Sequence, residues 1–118
     1  MDSNTKKIID LNYLTALAKG NKAFVMEMVS IFLTDNPVEL QALENGIKEK
    51  NFEKIKSVAH KLKSTLPFIG IDKLIGTEVV EIESLGTTQS DLPGIESRFK
   101  KVKEVCERAY TELRETKI

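Results

Sequence analysis

From Leu92 to Leu113 the apolar residues Leu92, Ile95, Phe99, Val102, Cys106, Ala109 and Leu113 recur every three or four positions without a break. That period matches the helical turn and is incompatible with the two-residue period of a strand, so the segment reads as one long amphipathic helix, capped by Asp91 and running to about Thr116. The same period recurs upstream. Asn51 can cap a helix carrying Phe52, Ile55, Ala59, Leu62, Leu66 and Ile69 inward and ending before Gly70. Asp72 can cap the next, with Leu74, Ile75, Val79, Ile82 and Leu85 inside, Gly86 as its stop and Thr87-Thr88-Gln89-Ser90 as a polar loop. Before these, Val25, Met28, Phe32, Leu40, Leu43 and Ile47 hold phase from a cap at Asn21 to about Lys50. Pro37 falls inside that run and predicts one long kinked helix, because the phase survives it. A short first helix starts at Asp10, turns Leu11, Leu14 and Leu17 inward and stops at Gly20.

No stretch alternates apolar and polar residues with β-branched enrichment, so the class is all-α. Short connections between helices of similar length predict an up-down antiparallel four-helix bundle with the short N-terminal helix as a cover. The 118 residues fit one domain spanning 1–118, and 41% hydrophobic residues suffice for its core.

Composition excludes several functions. Eighteen Lys and Arg balance eighteen Asp and Glu, which leaves no net charge to drive binding to nucleic acid or anionic membrane. One Cys and one His cannot supply an internal disulfide or a zinc site built on N/S ligands. There is no Gly-rich phosphate loop and no apolar run of membrane-spanning length. Met1-Asp2-Ser3-Asn4 does not begin a basic-then-apolar leader. The expectation is a cytoplasmic, monomeric protein without metal or cofactor. Cys106 reads as a core thiol.

The single histidine, His60, lies ~140° from the centre of its helix's apolar stripe and should face water. Lys63 at i+3, Ser64 at i+4 and Lys56 one turn before surround it. An exposed imidazole is mostly neutral at pH 7 and keeps a nucleophilic nitrogen, and a phosphoryl group placed there would meet the Lys63 ammonium and the Ser64 hydroxyl. A plain surface histidine among lysines accounts for the same pattern. The carboxylates Glu78, Glu81 and Glu83 read as a solvated face.

The segment Ala59-His60-Lys61-Leu62-Lys63-Ser64, followed by Gly70 and Leu74, resembles the signature of histidine-containing phosphotransfer (HPt) domains of multistep phosphorelays, H-x-x-K with a small residue next and a glycine later. The helix layout resembles that family over nearly the whole chain. The resemblance implies a phosphocarrier and not an enzyme. In it His60 exchanges a phosphoryl group with the aspartate of a response-regulator receiver domain, free or within a hybrid sensor kinase, and that partner supplies Mg²⁺. Lys63 would stabilise the phosphoryl charge, small Ser64 would let the receiver approach, and Gly70 would allow the tight passage to the next helix. A helical interaction module that docks without being phosphorylated is the alternative.

Two departures stand out. Pro67 leaves the Lys63 carbonyl without its helical donor, so the helix must kink or end early. The Gln with which some family members bond the imidazole is missing from Glu78-Val79-Val80-Glu81-Ile82, leaving Glu78 or Glu81 as the expected acceptor. If the helix continued through Pro67, Phe68 would lie ~80° from His60 and stand exposed, with Pro67 and Ile71 widening an apolar docking patch. If Pro67 instead turns the chain, Phe68 folds into the core.

Overall fold

The computed structural model describes residues 7–116, and the reading of Met1-Asp2-Ser3-Asn4 lies outside them. Five α-helices and one 3-10 turn account for the secondary structure of the described residues: α1 (Asn12–Leu17), α2 (Lys22–Lys48), α3 (Phe52–Thr65), the 3-10 turn Leu66–Ile69, α4 (Asp72–Thr88) and α5 (Leu92–Glu115). The four long helices pack in a cycle, α2 on α3, α3 on α4, α4 on α5 and α5 on α2, while α1 sits on the 3-10 turn. No helix among the described residues is long and apolar enough to cross a membrane.

The caps explain most of the helix starts. Asn21, Asn51 and Asp91 each accept a hydrogen bond from the backbone N–H three residues on, in each case at 3.1 Å, satisfying one of the donors a helix start leaves free. Pro37 sits inside a helix that runs unbroken from Lys22 to Lys48, as the surviving phase predicts. Beside it the buried Asn36 accepts a hydrogen bond from the Tyr110 hydroxyl, a buried polar link between α2 and α5 that the apolar pattern did not disclose.

Several boundaries differ from expectation. Asp10 precedes α1 instead of capping it directly: its carboxylate accepts from Asn12 N at 2.9 Å and α1 opens at Asn12. Asp72 is the first residue of α4 and makes no side-chain cap; its charge sits in the first turn, where the helix dipole favours it. Gly86 does not stop α4, which runs to Thr88 and closes on Gln89 in the left-handed region. Gly86 is buried, because a Cβ there would lie 3.0 Å from Lys56 N and 3.2 Å from Lys56 Cα.

The core contains Leu14, Phe32, Leu43, Ile55, Ala59, Leu62, Leu66, Ile69, Ile75, Val79, Ile82, Ile95, Val102 and Cys106. Leu17 and Leu74, expected inside, are exposed, and Met28 is half-buried. Leu74 lies ~100° off the line through Ile75, Val79 and Ile82, which takes the core side of α4 instead. Cys106 is fully buried, and loss of solvation pushes its thiol up to about 12.

Pro67 acts where the missing donor says it should: α3 ends at Thr65 and the chain tightens into the 3-10 turn. Gly70 ends that turn with φ +78°, and any Cβ on it would stand 2.6 Å from Asp10 Cβ and 2.7 Å from Asp10 O. The N-terminal segment occupies that space because Asp10 N donates to Ile69 O at 2.8 Å and Ile8 N to Glu112 Oε1 at 2.8 Å.

Gly70→Ala should therefore lose about 2–4 kcal/mol, summing left-handed strain and overpacking. Gly20→Ala, at φ +79° with nothing within 4 Å of its Cβ, should lose only about 1–2 kcal/mol. Urea denaturation of the two variants side by side checks this, and equal losses would count against the packing argument. Cys106 should resist thiol reagents in the native protein and react at once in denaturant.

Candidate functional site

His60 lies on the outer side of α3, its side chain 67% exposed, as its angular position predicts. Its ring does not stand free. Nδ1 is 2.8 Å from Glu83 Oε2 on α4, and the other oxygen, Oε1, is 3.0 Å from Lys63 Nζ. One carboxylate thus spans the α3–α4 seam and holds both residues of the H-x-x-K pair. The Lys63 ammonium holds the Glu83 carboxyl below the usual carboxylate range, outweighing the opposing effect of burial, and the weaker contribution of the His60 bond acts in the same direction as Lys63. Glu83 is therefore ionised near neutrality and can only accept, so the proton on the neutral imidazole sits at Nδ1 and the lone pair at Nε2.

The expected acceptors are occupied elsewhere: Glu78 pairs with Lys101 at 3.0 Å and Glu81 with Arg98 at 2.8 Å, both across the α4–α5 seam. Sequence spacing narrows the choice only in part. Around the buried line Ile75, Val79, Ile82 and Gly86, Glu83 lies ~70° to one side and Glu78 ~70° to the other. Deciding which side faces α3 requires the packing of the helices, which sequence spacing alone does not supply.

Ser64 donates its hydroxyl to Lys61 O at 2.8 Å, so that proton is turned to the helix backbone and not toward the imidazole. Lys56 pairs with Glu53 at 3.6 Å, one turn away from His60. Gly70 lies in the turn below. Ile71, expected in the exposed patch, is fully buried, because the left-handed Gly70 swings the chain back into the core. Pro67 is half-buried. Phe68 falls between the two expectations: half-buried, packed against the core and stacked on exposed Tyr13 with ring centroids 6.2 Å apart. It also lines a notch of about 70 Å³ with Met28, Ile31, Phe32 and Asn36 of α2 and Thr65 of α3, rimmed by Asp35 and Glu39.

The family model of the Hpt domain matches residues 27–116, from the second turn of α2 to the end of α5. The chain belongs to the Hpt domain family. Among curated proteins and among solved structures nothing matches. Membership implies phosphotransfer in a phosphorelay and interaction with response-regulator receiver domains. Among the described residues of this Hpt domain, no group of three or more His, Cys, Asp or Glu could hold a metal ion.

Phe68→Ala should cost roughly 2 kcal/mol of folding free energy, about half the cost for a fully buried phenylalanine. Chemical denaturation checks it, and a loss near zero would mean that the stack on Tyr13 does not hold the ring. Glu83→Ala should free the imidazole, and ¹⁵N NMR of the ring should then show a mixture of both neutral tautomers instead of Nδ1–H alone.

Proposed function

We propose that this Hpt domain is a phosphocarrier in which His60 Nε2 exchanges a phosphoryl group with the aspartate of a receiver domain. The observation that carries the reading is the grip of Glu83 on His60 Nδ1, which leaves the opposite nitrogen as the nucleophile on an exposed ring. In the accepting direction the Nε2 lone pair attacks the phosphorus of the aspartyl phosphate. The N–P bond forms as the acyl P–O bond breaks, and the electron pair of that bond returns to the receiver's carboxylate. The ring gains positive charge, which the adjacent Glu83 carboxylate balances while it keeps the Nδ1 proton. Lys63, paired with Glu83 Oε1 before transfer, turns its ammonium to the phosphoryl oxygens as they arrive and offsets their charge. The donating direction is the reverse.

In this reading the chain supplies the nucleophile and its orientation, while the receiver supplies the Mg²⁺ and the catalytic geometry. The chain acts as a single domain whose helices α2 to α5 form an up-down antiparallel four-helix bundle with α1 as its cover, and it works as a cytoplasmic monomer without a cofactor of its own. Small Ser64 leaves room for the receiver's active site above His60. Docking uses the half-buried Phe68 with Pro67, Met28 and Ile31 around the α2–α3 notch, within the reach of an interface of ordinary size centred on His60.

Incubation with a receiver charged by acetyl phosphate in Mg²⁺ should place acid-labile, alkali-stable phosphate on the chain. His60→Gln should take none while keeping its stability within about 0.5 kcal/mol, as for other surface changes. Lys63→Ala should slow transfer roughly tenfold, the loss of one charge-assisted contact worth about 1.5 kcal/mol. Label retained on the His60→Gln variant would refute the assignment.

A further inference from the structure

Gly86 lies one turn beyond Glu83 on α4, and the residue it meets, Lys56, lies one turn before His60 on α3. The contact is with backbone: a Cβ on Gly86 would be 3.0 Å from Lys56 N and 3.2 Å from both Lys56 Cα and Cβ. Each distance is tighter than ordinary van der Waals packing, and a helix backbone cannot rotate away as a side chain can. The spacing of α3 and α4 at this level is thus set by the absence of a side chain, since interaxial distance follows the size of the groups at the contact.

That spacing matters one turn up. Glu83 is a short side chain that must reach Nδ1 of His60 and Nζ of Lys63 at once, at 2.8 and 3.0 Å. Both targets project from α3, and the His60 side chain is 67% exposed, so the Glu83 bond is the main constraint on the ring. A modest separation of the helices lengthens both bonds together. We infer that Gly86 is a positioning residue for the phosphotransfer site: it sets the helix spacing at which Glu83 fixes the His60 tautomer. The inference rests on the phosphocarrier reading for its functional consequence, and on geometry alone for the tautomer.

The other glycines supply controls. Gly76, on the same helix, would place a Cβ 3.7 Å from Asp72 Cβ, which is ordinary contact. Gly46, on α2, meets side chains of α3 first, Lys54 Cγ at 3.3 Å and Ile55 Cγ1 at 3.4 Å, and the nearest backbone atom, Ile55 N, stands at an ordinary 3.5 Å.

The experiment compares Gly86→Ala, Gly86→Leu and Gly76→Ala with the parent, reading the imidazole ¹⁵N shifts at neutral pH and the rate of phosphoryl transfer from a charged receiver. Gly86→Ala should fold, because alanine favours the helix interior and offsets part of the crowding. It should show a mixed tautomer and a transfer rate down about 3- to 10-fold; Gly86→Leu should go further in both, and Gly76→Ala should match the parent. A Gly86→Ala protein with the parent's tautomer would overturn the inference, whatever its stability or rate. Absence of any phosphate on the parent's His60 would instead sink the phosphocarrier reading and leave the tautomer result to decide the geometry.

Discussion

The bidentate grip of Glu83 on His60 and Lys63 is the contact from which the chemistry of this molecule follows. It runs across the seam between α3, which buries Ile55, Ala59 and Leu62, and α4, which buries Ile75, Val79, Ile82 and Gly86. Gly86 brings the backbone of α4 close to that of α3 at Lys56. A polar triad with the histidine two-thirds exposed owes its geometry to that apolar seam more than to its own attraction, since exposed ion pairs contribute little stability.

A carboxylate in this position does more than an amide would. Glutamine could donate or accept and would leave the tautomer undetermined, whereas an ionised glutamate accepts only. It also carries the charge that a phosphorylated, Nδ1-protonated ring calls for. The same carboxylate also pairs with Lys63, so the histidine and the lysine of the H-x-x-K pair share one anchor.

The sequence disclosed the helices and the histidine through one regularity, the three-four spacing, which fixed both the core stripe of α3 and the angle at which His60 leaves it. It also located Pro67 as the end of the α-helical geometry. It did not place Glu83, because an acidic residue flanking an apolar stripe looks the same whichever neighbouring helix it faces. Gly86 was misread for a related reason: a glycine near a helix end signals a cap in local terms, while its use here is a close approach visible only once α3 is laid beside it. Ile71 lies in the core because the left-handed turn at Gly70 redirects the chain there, and the fit of Asp10 against Gly70, 60 residues away in sequence, is not visible in any local pattern.

The most direct test of the account is to phosphorylate the chain from a charged receiver and locate the phosphorus by ³¹P and ¹⁵N NMR of the intact domain. The account predicts one phosphoryl group, on Nε2 of His60, with Nδ1 still protonated against Glu83. A phosphoryl group on Nδ1 would contradict it, because that nitrogen can be reached only after the Glu83 bond is broken.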